Sequence, residues 1–345
     1  MPPIKRTTKQ ARAKSSRKIN KPPVLFRQTQ AIIAEIEQRT GLPILTYWNS
    51  SNGSICDSDV LGFYEILQHL GQPTEVNLLI KSHGGHGESS LRIVNLLRTK
   101  LKTIHAVIPL ECASAATMLA LGADDIQMGP LAHLTPVDSS LTHDLSPIDR
   151  DNNRVRVSLD ELQRVIKLWS SQSNSSDQNP YKEIYPFIHP LVLGAVDRLS
   201  SLSTKICDTI LSYHIADPKY RKRISEKLNG DFPSHSYPIT FMEAKKIGLK
   251  VEELDSDLND RLLELNELYS QMGKKAYTDF DEHNYHDHEI LNILEGRNVQ
   301  VFFQNDKDWH YRQEERRWIT LNDESSWQRV AMKGNRVVQT RMEIR

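Results

Sequence analysis

Cysteine is scarce in this chain. Cys56, Cys112 and Cys207 are widely separated along 345 residues, and so sparse and odd a set argues against a disulfide framework and for a reducing compartment. No run of 18 apolar residues occurs, so no segment reads as a transmembrane helix. The N-terminus lacks the apolar core of a signal peptide, which gives the expectation of a soluble, cytoplasmic protein. Net charge is also lacking, with Lys plus Arg and Asp plus Glu at 44 each. That balance excludes an overall pull toward nucleic acid or anionic membrane. There is no long internal repeat. The hydrophobic fraction is low, at 38%, which suffices for a core and suggests polar extensions.

Positive charge clusters in one place. Residues 1 to 23 carry eight basic side chains, from Lys5 to Lys21, and no acidic one. The segment reads as a disordered, solvated tail. The sharper alternative is a weak contact of residues 5–21 with nucleic acid or anionic lipid.

The chain is organised around residues 75–129. Glu75 to Lys81 is a short apolar run, expected of a strand buried on both faces, and it stops at Ser82-His83-Gly84-Gly85. Leu91, Val94, Leu97 and Leu101 then recur at helical spacing. Thr103 to Leu110 reads as a second buried strand. Cys112-Ala113-Ser114-Ala115-Ala116 opens a helix of small residues, and Asp125 to Met128 is a third strand. Strands alternating with helices predict a parallel sheet flanked by helices.

Flanking segments fit the same α/β scheme. Gln28 to Arg39 predicts an amphipathic helix, Ile44 to Trp48 a strand, and Asp57 to Leu70 a helix that Asp59 would cap. Ser158 with Glu161, and Thr240 with Glu243, are spaced as capping boxes. Residues 170–179 read as a Ser/Asn-rich linker, residues 181–229 as mostly helical and Leu254 to Met272 as a further helix. Beyond residue 299, polar and apolar residues alternate around Trp309, Trp318 and Trp327. This predicts a small antiparallel sheet appended to the rest. The expected division is a tail at 1–23, an α/β domain at 24–273 and a C-terminal extension at 274–345.

Two features carry chemistry. Gly84-Gly85 ends a strand, where successive glycines permit positive φ and close approach of another backbone. Ser114 stands at the head of a helix, where free N–H groups favour developing negative charge. An N–H of the glycine pair and that of Ala115 are candidates for an oxyanion hole, in which one donor contributes ~3 kcal/mol.

The glycine pair and a serine 29 positions beyond Gly85 resemble the ClpP/crotonase superfamily. Ala113-Ser114-Ala115-Ala116, Ala123-Asp124-Asp125-Ile126-Gln127-Met128-Gly129-Pro130 and Pro136-Val137-Asp138 are most similar to its SDH-type serine proteinases, relatives of signal peptide peptidase A. The resemblance spans roughly residues 40–272 and is strongest over 78–138. It implies a ClpP/crotonase-like core of repeated ββα units and a serine peptidase working through an acyl-enzyme on Ser114. It further implies a peptide or unfolded-protein substrate, a homo-oligomer and no cofactor.

The same resemblance implies Asp138 and His235 as the other catalytic residues. Asp138 matches the family's aspartate, and His235, in Ser234-His235-Ser236-Tyr237-Pro238-Ile239-Thr240, matches its histidine. Pro136 falls near the place of ClpP's own histidine, so the ClpP order fails here, and His83 stands where ClpP relatives usually have proline. Two alternative bases remain. Lys167, 53 residues after Ser114 and beside Ile166, Leu168 and Trp169, fits a Ser–Lys dyad if burial lowers its pKa. His189 precedes Pro190 in a segment also seen in SDH-type relatives. Cys112 reads as a small buried residue rather than a rival nucleophile. His83, His86 and Asp57 have no recognised zinc spacing, and His283, His286 and His288 read as a solvated loop. Two other functions compete: an inactive peptide-binding scaffold, and acyl-CoA chemistry of the crotonase type.

Overall fold

The strand Ile44–Asn49 is buried along its whole length, because it has sheet neighbours on both edges and helices over both faces. In the computed structural model, which describes residues 18–150, 153–172, 179–334 and 336–343, it runs parallel to Glu75–Lys81, with Thr46 opposite Leu79. Parallel pairing continues through Thr103–Ile108, Asp125–Met128 and Val251–Glu253. The helices Asp59–His69 and Gly87–Lys100 make the crossovers between the first three strands.

Alternation along the strands sorts the core into two layers. Leu45, Tyr47, Leu78 and Ile80 point to the face that packs on the crossover helices through Phe63, Ile66, Ile93 and Val94. Ile44, Trp48, Leu79 and Val107 point to the other face. There they meet Ile33 and Ile36 of the helix Phe26–Thr40, and Leu262 and Tyr269 of the helix Ser256–Met272. Among the described residues, no helix is long and apolar enough to cross a membrane.

The C-terminal strands do not form a sheet of their own, as the sequence had suggested. Asn284–Gly296 pairs antiparallel with Ile44–Asn49, placing Trp48 opposite Ile293. The result is one mixed sheet of 11 strands. The parallel core would otherwise leave the hydrogen-bonding edge of Ile44–Asn49 bare, and a further strand covers it. A bulge between Ile290 and Asn292 divides this long strand. Its later half lies in the core, and its earlier half extends between Ala276–Asp281 and Val299–Arg312.

Three further expectations change. The expected boundary of the tail shifts, since the Asn20 N–H donates to Thr278 Oγ1 and its side-chain amide to Tyr277 O. Residues 1–17, with most of the basic cluster, lie outside the described residues. Asp59 is not the cap of its helix, whose cap position is Ser58. It is fully buried and accepts hydrogen bonds from Tyr47 Oη at 2.6 Å, the Cys56 N–H at 2.7 Å and Asn292 Nδ2 at 2.8 Å, tying the first strand to its crossover helix and to the C-terminal strand. His286 and His288 are buried strand residues, not a solvated loop, because strands flank theirs on both edges.

Candidate active site

Two turns at the carboxyl ends of the parallel strands are laced together. The Ser82 N–H donates to Glu111 O, and the Ala113 N–H donates to Ser82 O. The glycine turn is fixed again from the other side, where the Ile55 N–H donates to Gly84 O and the His86 N–H to Ile55 O. Both glycines are required. Gly84 has φ +104°, and a Cβ there would stand 2.7 Å from Ser114 Cβ; Gly85 has φ +148°, and a Cβ there would stand 2.3 Å from Ile55 O.

Ser114 sits on the turn between the two-residue strand Glu111–Cys112 and the helix Ala115–Ala120, with φ 54° and ψ −120°. A non-glycine residue in this region is strained. Such a strand-to-helix turn presents a serine hydroxyl outward. The strain is held in place by hydrogen bonds. The Ser114 N–H donates to Thr135 Oγ1 at 2.8 Å, and Thr117 Oγ1 bonds to Cys112 O and Thr135 O at 2.8 and 3.0 Å. Thr135→Val would leave the Ser114 N–H unpaired. The variant is expected to lose about 1–3 kcal/mol of stability in a denaturant melt. No change in the melt would show that Thr135 does not hold the turn.

Among the described residues, neither the Gly85 N–H nor the Ala115 N–H donates a hydrogen bond. The Gly84 N–H is occupied, donating to Ser82 Oγ at 3.0 Å. Of the three expected donors, Gly85 and Ala115 therefore remain available. The cleft beside Ser114 is mixed in character, with apolar Met118, Val137, Leu202 and Ile206 and polar Glu88 and Ser203 in its lining.

His235 and Asp138 meet directly. His235 Nδ1 lies 2.9 Å from Asp138 Oδ1, and this bond to a carboxylate raises the histidine's pKa above its ordinary 6.5. The segment that carries Asp138 also borders the serine. Val137 and Ser139 line the Ser114 cleft, whereas Asp138 and Ser140 line an adjoining hollow together with His235. Alternation along an extended segment produces this split. Among the described residues, Ser114 Oγ makes no hydrogen bond, to His235 or to any other group.

The other candidate bases fall apart. Lys167 is exposed on the helix Leu159–Gln172, so the burial that a lysine base needs is missing. His189 is exposed, and its Nδ1 accepts the Leu191 N–H as the cap of the helix Pro190–Leu211. Cys112 is fully buried, and burial pushes its thiol pKa far up, which removes it as a nucleophile. Asp57 is held by Ser89 and Arg92, and His83 lies 3.6 Å from Glu111, so His83, His86 and Asp57 do not converge. What the sequence reading missed is the anchoring role of Thr117 and Thr135. Threonines next to a helix start carry no signal that distinguishes them from ordinary caps.

No protein-family profile matches the chain. Two uncharacterised proteins of Methanocaldococcus jannaschii align with it, at 24% identity over 207 residues and 25% over 206. The alignments cover 59% and 58% of this chain, and 61% and 59% of those proteins. Among solved structures, a mutant of a membrane-bound stomatin-specific protease superposes with TM-score 0.38 and 14% identity, over 65% of this chain and 83% of that one. A second mutant of that protease, in complex with a substrate peptide, gives TM-score 0.37 and 15% identity, over 65% and 78%. ClpP1 from Listeria monocytogenes gives TM-score 0.34 and 11% identity, over 68% and 99%.

Proposed function

We propose that this chain is a serine peptidase of the ClpP and SDH type that cleaves peptide bonds through an acyl-enzyme on Ser114. The observation that carries the reading is the pairing of a strained serine that lines a cleft with two unbonded backbone donors, Gly85 N–H and Ala115 N–H. A carbonyl attacked by Ser114 Oγ develops a negative oxygen, and donors fixed in advance stabilise it without reorganising. The motif resemblance over residues 78–138 points the same way. His235 is the general base and Asp138 the group that orients it. Of the three candidate bases, His235 alone is held by a carboxylate. Its bond to Ser114 would form with substrate in place, since catalytic hydrogen bonds are often long in a free enzyme and tighten only with substrate bound.

A second reading has its own observation: Ser114 and His235 open into separate hollows, as in a protein that binds peptides without cutting them. A fluorophosphonate probe separates the two. Labelling of the folded protein, with the adduct located on Ser114 by mass spectrometry, is expected. Folded protein that stays unlabelled at saturating probe would favour the binding reading.

A further inference from the structure

We propose that Glu88 sets the specificity of the Ser114 cleft, and that the favoured substrate carries lysine or arginine at the residue whose carbonyl is attacked. The inference rests on the reading of Ser114 as nucleophile and of Gly85 and Ala115 as oxyanion donors. Those three residues line one cleft together with Glu88. Of the twelve residues in that lining, Glu88 alone has a charged side chain.

The glycine turn leads through His86 straight into the helix Gly87–Lys100, so Glu88 stands in the first turn of that helix. Gly87 lies against the floor of the cleft, where a Cβ would stand 2.9 Å from Met118 Sδ and 3.7 Å from Ile206 Cδ1. Met118 and Ile206 are buried, whereas Glu88 is exposed and stands at the mouth. A glutamate here would ordinarily pair with a base one turn further along its helix. Arg92 is in that place. Its Nη1 donates instead to Asp57 Oδ1 at 2.9 Å, and Asp57 Oδ1 also accepts from Ser89 Oγ at 2.8 Å. Among the described residues, the Glu88 carboxylate has no ion pair and no hydrogen bond.

An uncompensated carboxylate in this cleft works against the reaction. The oxygen of the attacked carbonyl becomes negative beside Gly85 and Ala115, and a fixed negative charge nearby opposes it. A cation brought by the substrate cancels that charge. Lysine and arginine suit the cleft because their methylene stems lie along apolar surface while the charged head stays at the water boundary. Here the stem would lie against Met118 and Ile206 and the head at Glu88. A charge-assisted hydrogen bond to the carboxylate then discriminates against neutral and acidic side chains.

The test uses the full chain and three fluorogenic peptides that differ only at the residue before the cut: lysine, its uncharged near-isostere norleucine, and glutamate. The value of kcat/KM is expected to be on the order of tenfold higher for lysine than for norleucine and lowest for glutamate. The lysine advantage should shrink as salt rises. Glu88→Gln should bring the lysine and norleucine values together, and Glu88→Lys should put glutamate ahead of lysine. Equal values for lysine and norleucine in the wild-type chain, or a lysine advantage that survives in Glu88→Gln, would overturn the role of Glu88 and leave Ser114 as nucleophile. The same peptide sequences, carrying a fluorescent tag, are also titrated onto Ser114→Ala and followed by anisotropy, which needs no chemistry. Lysine should again bind about tenfold more tightly than norleucine, and the double variant Ser114→Ala/Glu88→Gln should lose the difference. A wild-type chain that neither reacts with fluorophosphonate nor turns over peptide, while Ser114→Ala keeps the lysine preference, would overturn the peptidase reading and support Glu88 as the selecting group. Absence of that preference in the titration would overturn Glu88 whatever the turnover.

Discussion

Alanine at Ser114 is expected to abolish both fluorophosphonate labelling and peptide turnover, a loss on the order of 10^6-fold in kcat, with an unchanged thermal melt. The magnitude follows from the reaction proposed: without the hydroxyl no acyl-enzyme forms, and the two backbone donors act on water attack alone. His235→Ala is expected to lower turnover by about 10^2- to 10^4-fold, the range of a positioned general base. Lys167→Ala is expected to leave it unchanged, because that side chain is exposed on the helix Leu159–Gln172. The pH profile carries an independent signature. A base works unprotonated, and the Asp138 hydrogen bond raises the His235 pKa above 6.5. Activity should therefore rise with pH through a midpoint above 6.5, and Asp138→Asn should move that midpoint down. Full labelling of Ser114→Ala would sink the nucleophile assignment. Full activity of His235→Ala would sink the base while sparing the serine.

The second large effect concerns stability. Glu295 is fully buried among the helix Phe26–Thr40, the helix Ser256–Met272 and the C-terminal strands. Its carboxyl accepts hydrogen bonds from Thr29 Oγ1 at 2.7 Å, Gln30 Nε2 at 2.7 Å, Gln300 Nε2 at 2.6 Å and Tyr269 Oη at 2.8 Å. These neutral donors only partly offset desolvation, and burial pushes the pKa from 4.5 up to about 7. The folded chain then holds a proton that the unfolded chain releases between those values. Stability should be fullest near pH 4.5 and below as far as this group is concerned, and should fall as pH rises toward 7, by roughly 3 kcal/mol. Burial raises Asp59 in the same sense, to about 6. Glu295→Gln removes the titration and keeps the shape, and the Thr29 and Tyr269 hydroxyls can turn to accept from the new amide. Denaturant melts at pH 5 and pH 8 should therefore differ much less in the variant than in wild type. An equal loss in both proteins would place the pH dependence elsewhere.

Several parts of this molecule were legible in order. Glu75–Lys81, Thr103–Ile108 and Asp125–Met128 announce themselves as apolar runs, since a strand covered on both faces has no polar side to show. The capping box at Ser158 was readable because it is local. Its two bonds, Ser158 N–H to Glu161 and Glu161 N–H to Ser158 Oγ, span three residues. His286 and His288 were misread for the converse reason. Asn284–Gly296 pairs with residues more than 230 positions earlier, such as Trp48 and Tyr47, and nothing in a short window reports such a neighbour.

The sequence alone determined the period of the core strands and helices, the glycine pair and the serine at the head of a helix, because backbone freedom and side-chain alternation are properties of short stretches. Only the tertiary structure decided three other matters. The C-terminal strands extend the core sheet, the Gly84 N–H is taken by Ser82 while those of Gly85 and Ala115 stay unbonded, and Asp138 holds His235 in a hollow beside that of Ser114. Each depends on groups that the chain brings together from far apart. Their hydrogen bonds and burial exist once the sheet has closed around them.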